Sequence, residues 1–411
     1  MNSEFVWKKN LAILAFSQFL AMVGFECCMP FIPLLLKSKL NIMDDHVRGF
    51  YVSLYYLVGM VGLTIAYPIW GMLSDRFGRK IMLLRASYMA GLFYPLLAFA
   101  PNFWWMLAIR GFTSLFSGTV NPAQTLVITL IPKEKRSMGL GLMGTAQWSG
   151  QMAGLVMGGW FWDRFGIVPA FLACGLIYIL SGVLVHIFAD ENFVRPTDTE
   201  LAEKAAKRKK PSLRSIMTPA IGWIFVIFLM MGIARRITAP FMAMLVEIIN
   251  GPDKVATITG VTSSFAAVGG VLSGLIIGQL SQRYKPRTLL PPILAASFIF
   301  TMGVALAPNI KFLWVSRFLE FVAAGCLQPV LQVMITNITN PEKHGSYLGW
   351  TASLSSLGGI ICSFISAPVS YWIGVRGVFV ASAIIFLLML PLLFPTIKAY
   401  KKELQAADDA A

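Results

Sequence analysis

The sequence predicts an all-α integral membrane protein made of two six-helix bundles related by a pseudo-two-fold axis along the membrane normal. Three observations carry this. Of its 411 residues 57% are hydrophobic and only 13% are charged, whereas a soluble domain carries about a quarter charged residues. The apolar residues form unbroken runs of the ~20 residues that a spanning helix needs. That excludes a β-barrel, whose strands alternate in polarity. Finally, Arg110 and Arg317, Gly118 and Gly325, Pro122 and Pro329, Asn102 and Asn309, Gly71 and Gly278, and Arg76 and Arg283 are all 207 residues apart. Repeats in the same orientation are related by an axis along the normal.

Twelve helices fit, at 9–36, 49–73, 80–100, 103–130, 138–162, 167–189, 219–247, 255–280, 288–308, 311–338, 345–370 and 374–397. The first run follows Lys8 and Lys9 but is too long for a signal peptide and lacks a small-residue cleavage site, so it reads as a retained helix. The loops alternate in charge. One side carries Lys8, Lys9, Arg76, Arg79, Lys80, Arg85, Lys133, Lys135, Arg136, Arg283, Lys285, Arg287, Lys343 and the lysines of the tail. The positive-inside rule makes that side, with both termini, cytoplasmic. The domains are a bundle at 1–189, a basic cytoplasmic linker at 190–218 and a bundle at 219–411. The linker reads as solvated, with anionic headgroups as a second option.

The net charge of +15 resembles a nucleic-acid signal, but its confinement to one set of loops argues against nucleic acid and for a bilayer. The five cysteines all lie in apolar runs, are odd in number and lack metal-ligand spacing, so they read as small hydrophobes. There is no nucleotide loop, metal cluster or nucleophile–base arrangement. The sequence therefore predicts neither an enzyme nor a bound cofactor or metal, and energy must come from an ion or solute gradient.

Charges placed deep in apolar runs are costly and face a cavity or a partner. Glu26 is the only acid inside the first five helices, in Gly24-Phe-Glu-Cys-Cys-Met-Pro30. Low dielectric penalises its charge, so it either exchanges a proton or pairs. Counted at 1.5 Å per residue from the outer helix ends, Glu26 is about 15 Å deep and Arg110 about 12 Å, so the two can pair. A structural ion pair is the plain alternative. Arg235 and Arg236 lie mid-run in the seventh helix and point about 100° apart, so at most one faces a cavity, where an arginine favours a carboxylate or phosphate. The acids within reach are Glu247 and Glu26. Arg317 and Glu320 are three apart and can pair on one helix. Tyr55, Asn121, Gln124, Gln147, Gln151, Gln328 and Gln332 suit the lining of a substrate cavity, or equally contacts between helices.

Gly71-Met-Leu-Ser-Asp-Arg-Phe-Gly-Arg-Lys80 packs one acid, three bases and two glycines between two apolar runs. Asp75 can pair with Arg79 or sit at the positive end of a helix dipole. Gly71, Leu73, Asp75, Arg76, Gly78, Arg79 and Lys80 resemble the signature loop of the major facilitator superfamily. In the second copy Gln282 stands where the first has Asp75, so a gate built on that acid would be one-sided. Gly150, Gly154, Gly158 and Gly159 resemble the glycine motif of the antiporter branch, with Leu155 where that motif has proline. A bare packing face explains the same glycines.

The resemblance implies the major facilitator fold and a twelve-helix drug:proton antiporter of the bacterial multidrug efflux type. It implies alternating access about a midplane site, the proton as coupling ion, a small-molecule substrate, and a monomer in the bacterial inner membrane. It gives the coupling role to Glu26, four residues before Pro30, and to Arg110. It gives gating to Gly71, Asp75, Arg76, Gly78, Arg79 and Lys80. Two other readings stay open: an exporter of an anionic metabolite or siderophore using Arg235 or Arg236, and a non-transporting sensor or scaffold.

Overall fold

The computed structural model describes residues 3–132, 135–191, 217–339 and 344–408, and within them leaves out a few side chains, those of Asp75 and Gln282 among them. Most of the predicted linker, 192–216, lies outside the described residues. The chain divides into two compact units. The first contains Met1–Met43, Leu54–Lys209 and Lys254–Val261, the second Asp44–Ser53, Lys210–Asp253 and Thr262–Ala411. Helix 45–77 thus begins in the second unit and continues in the first, and helix 255–283 does the reverse.

Helices α1 (Ser3–Glu26), α2 (Ile32–Leu40), α3 (Asp45–Phe77), α4 (Arg79–Phe93), α5 (Phe103–Phe116), α6 (Val120–Leu130), α7 (Arg136–Phe165) and α8 (Ile167–Phe188) precede the linker. After it come α9 (Pro219–Ile237), α10 (Met242–Asn250), α11 (Val255–Arg283), α12 (Pro286–Ala305), α13 (Ile310–Gly325), α14 (Leu327–Asn337), α15 (His344–Trp372) and α16 (Val375–Asp408). Among the described residues ten runs are long and apolar enough to cross a membrane. The expected helices at 103–130 and 138–162 are not among them: the first is broken into α5 and α6, and the second, α7, is rich in Gly, Ser, Thr and Gln. Outward-facing Trp104, Trp372 and Phe394 are largely exposed, as befits a surface meeting lipid rather than water.

The repeat seen in the sequence recurs in local geometry. Asn102 caps α5 by accepting the Trp105 N–H at 3.1 Å, and Asn309 caps α13 by accepting the Phe312 N–H at 2.9 Å. Each first helix of a repeat ends in a short 3-10 turn around proline, Met29–Phe31 and Ala239–Phe241, before continuing as α2 or α10. The prolines inside α3, α12, α15 and α16 do not end those helices, because packing in a membrane protein re-satisfies the freed backbone groups.

The break between α5 and α6 falls at Ser117-Gly118-Thr119, where Gly118 has φ +106°, a conformation open to glycine but strained for other residues. Two carbonyls freed there find side-chain donors. Trp70 Nε1 donates to the Leu115 carbonyl at 2.6 Å and Arg85 Nη1 to the Phe116 carbonyl at 2.6 Å, with the Arg85 guanidinium 3.5 Å over the Trp70 ring.

Within the first unit, Leu11, Leu14, Leu83, Leu126, Val127 and Met143 join α1, α4, α6 and α7 in one apolar core. In the second, Ile221, Phe228, Leu294, Leu331, Phe386 and Met389 do the same for α9, α12, α14 and α16. The second unit also holds the first turns of α3. Arg48, only 1% exposed, donates to Glu247 of α10 at 2.8 Å and pairs with Asp45. Ser366 of α15 donates to Ser53 at 2.9 Å. Glu247, which its position in the sequence put within reach of Arg235 or Arg236, is thus a partner of Arg48. Breaking a buried pair strands the remaining charge. Arg48→Met is expected to destabilise the protein by about 3 kcal/mol or more, read as thermal unfolding in detergent, and adding Glu247→Met to recover much of that loss.

Candidate functional site

In the first unit the site is built on the contact between α1 and α7. Residues 19, 22, 23 and 26 of α1, with Cys27 just beyond its end, meet a glycine stripe on α7. A Cβ at Gly154 would stand 2.6 Å from the Val23 carbonyl oxygen and 3.0 Å from the Glu26 Cβ. One at Gly158 would overlap the backbone of Cys27, and one at Gly150 the carbonyl of Phe19. The missing side chains let the backbones touch, and this brings Gln151 beside Glu26. Gln151 Nε2 donates to Glu26 Oε1 at 2.6 Å, and Glu26 is buried.

Glu26 and Arg110 lie in one neighbourhood but do not pair. Arg110, 3% exposed, lies over the Tyr55 ring at 5.2 Å and donates to Met29 Sδ at 3.7 Å, with Tyr94 nearby. Gly59 leaves the space its guanidinium fills. Tyr56 and Tyr178 each lie near both Glu26 and Arg110. Tyr56 also donates to the Met29 carbonyl at 2.9 Å, holding the 3-10 turn that follows Glu26. The residues here therefore comprise one carboxyl with an amide donor and one guanidinium among neutral phenols.

The signature loop turns at Gly78, with φ +95°, a left-handed position that favours glycine. The first two N–H groups of α4 are capped from the far end of the same unit: the Glu191 carboxylate accepts from Arg79 N at 3.0 Å and Lys80 N at 2.8 Å. Lys80 Nζ donates to the carbonyls of His186 at 3.0 Å and Ala189 at 2.6 Å. Arg76 is exposed, and Gly71 has open space where a Cβ would be. The expected Asp75–Arg79 contact rests on a side chain outside those described. Sequence reading missed Glu191; its signal was an acid directly after an apolar run that ends on the same side as the loop.

In the second unit Arg317 and Glu320 form the expected local pair at 2.9 Å, both buried, with Arg317 also donating to Thr238 at 3.4 Å. Arg235 is half-buried and has Arg236, Glu320 and Arg317 as its charged neighbours. Arg236 is exposed and lies along Gly359 of α15. Of the proposed lining residues, Tyr55 is buried, Gln124, Gln147, Gln151 and Gln332 are half-buried, and Asn121 and Gln328 are exposed. Gly159 packs against Ala256 and Thr257, and Asp163 accepts the Thr257 N–H at 2.7 Å.

Apolar helices in two similar sets, with buried charges in their middles and a glycine-turned basic loop, define a multi-pass membrane transport protein. The Major Facilitator Superfamily model matches residues 14–312 and 224–410, and the chain belongs to that family. It is 29% identical over 384 residues to the multidrug resistance protein MdtG of Rahnella sp. (strain Y9602), covering 93% of this chain and 92% of that protein. It is 28% identical over 381 residues to MdtG of Salmonella typhimurium, covering 92% of each. Among solved structures it resembles a bacterial homologue of the human lysosomal transporter Spinster, inward-facing and occupied, with TM-score 0.75 at 14% identity over 96% of this chain and 97% of that one. It also resembles a D323A mutant of the nucleoside transporter NupG, with TM-score 0.73 at 12% identity over 95% and 99%. These likenesses establish the major facilitator fold. The chain is a transporter of small molecules and not an enzyme.

Proposed function

We propose that this transporter exports small amphipathic, drug-like compounds in exchange for protons, by alternating access, as a monomer in a bacterial cytoplasmic membrane with both termini inside. The observation that carries the reading is Glu26: a buried carboxyl, held by one amide donor and not paired with the guanidinium of Arg110 in its neighbourhood. A carboxyl so placed changes its charge at a cost that depends on what else is bound. With the site open outward, Glu26 takes a proton and loosens its hold on cargo. With the site open inward, it gives the proton to the cytoplasm and a new compound binds. Arg110 biases that exchange through the tyrosines, and Asp75 with Arg79 gates the cytoplasmic side. The kinship to MdtG supports drug-like cargo, and the basic loops support the orientation.

The test uses the full chain in proteoliposomes with ethidium inside or outside and an imposed pH difference. Ethidium is expected to move against its gradient only while protons move the other way. Dye movement unaccompanied by proton movement would overturn the coupling, and no dye movement under any gradient would overturn drug export.

A further inference from the structure

We infer that the end of α16 is a docking site for anionic phospholipid: Lys398, Lys401 and Lys402 take the phosphate of a phosphatidylglycerol-type headgroup, and the helix face leading to them takes its acyl chains. The inference goes beyond the transport reading and needs only that the chain spans a bilayer. It starts from length. Helix α8, which closes the first half, has 22 residues, and α16, which closes the second, has 34. The hydrocarbon core of a bilayer is about 30 Å thick, or about 20 residues of helix. Counted from Val375, that length ends near Phe394. The three lysines follow about 6–12 Å further along the axis, at headgroup depth.

The exposed side of α16 is one continuous stripe. Ile384, Leu387, Leu388 and Phe394 are exposed at helical spacing, as lipid-facing residues are. The exposed lysines continue the same face one and two turns later. The opposite side is fixed to the second unit. Tyr400, 2% exposed, accepts from Asn337 Nδ2 at 3.3 Å. Glu403 accepts from Thr218 Oγ1 at 2.7 Å and from the Ala220 N–H at 2.9 Å, and Leu404 packs on the apolar core. These contacts hold the helix beyond the span. They also turn Glu403, the one acid of residues 397–405, away from the lysines.

Lysines alone would fit any polyanion. Here an apolar stripe runs directly into them, and a phospholipid has its parts in the same order, chains and then phosphate. A soluble anion would use the lysines and leave the stripe unmatched. Lysine stems lie along apolar surface while their heads reach the polar layer, and each ammonium offers three donors to phosphate oxygens. Basic residues at this depth are drawn to anionic lipid.

The test is native mass spectrometry of the full-length protein released from nanodiscs of equal parts phosphatidylglycerol and phosphatidylcholine. Wild type is expected to retain phosphatidylglycerol in preference. The triple variant Lys398→Gln, Lys401→Gln, Lys402→Gln is expected to lower the retained phosphatidylglycerol-to-phosphatidylcholine ratio about tenfold or more, and the matching triple arginine variant to keep it. Arg164→Gln, Lys254→Gln, Lys311→Gln removes the same charge from exposed positions elsewhere and should leave the ratio close to wild type. Equal ratios in the two glutamine triples, or no preference in wild type, would overturn the inference. Displacement by inorganic phosphate, but not by chloride at equal ionic strength, would reassign the lysines to a soluble anion. None of these readouts uses transport, so failure of the export reading would leave them unchanged.

Discussion

Glu26→Gln is expected to abolish proton-driven efflux, with a loss of about a hundredfold or more in the coupled rate. The substitution keeps length and shape, and its amide oxygen can still accept from Gln151 Nε2, which now donates to Glu26 Oε1 at 2.6 Å. The packing of the Cβ against Gly154 is untouched. What disappears is the ability to carry a charge in one state and a proton in the other. Glu26→Asp keeps that chemistry on a shorter arm, so it should retain coupling at reduced rate. The measurement is dye and proton flux in parallel, with elution as a single folded species as the control. Intact coupling in Glu26→Gln would assign proton exchange to another group.

Gly158→Ala is expected to be among the most damaging single-methyl changes in α7. The new Cβ would meet Cys27 backbone atoms, among them its carbonyl oxygen at 2.7 Å and its carbonyl carbon at 2.9 Å. A flexible side chain could swing away, but a backbone can yield only if the helix moves. Overpacking of this kind costs about 1–3 kcal/mol or more, and it would also pull Gln151 away from Glu26. Gly144→Ala is the internal control. It sits on the same helix with nothing within 4 Å of its Cβ, so the better helix propensity of alanine makes it neutral or stabilising by up to about 1 kcal/mol. Thermal unfolding of both variants in one detergent decides the matter, and equal behaviour would contradict the packing argument.

The architecture was legible because a membrane imposes so much on a sequence. Apolar runs, loop charge and a shared offset of 207 residues suffice to place most helices and the repeat. The break after Phe116 was not legible, since no proline stands at it and its support comes from Trp70 and Arg85 on other helices. Depth counting put Glu26 and Arg110 at one level, but depth says nothing about direction around a helix. The face containing Phe19, Met22 and Glu26 is the one that meets the α7 glycines, which turns Glu26 toward Gln151. The glycine spacing signalled that contact, and the tyrosines gave no such sign, because an aromatic in a membrane helix reads first as packing. Arg317 and Glu320 were readable because three residues along one helix fix direction as well as depth.

The two halves differ by a slip inside their second helices. Pro30 and Pro240 are 210 residues apart, as are the starts of α3 and α11 at Asp45 and Val255, whereas Gly71 and Gly278 are 207 apart. The offset falls by three between the start of α3 and Gly71, so three surplus residues lie within α3 itself. Three residues advance a helix by about 4.5 Å yet fall about 60° short of a full turn. Everything before the slip is both lifted and screwed round relative to its copy, and Arg48 stands on that stretch opposite Ile258 in the copy. A second conformer built by threading each half onto the other's path would therefore go wrong at this turn first, and the Arg48–Glu247 bridge has to be accounted for without help from symmetry.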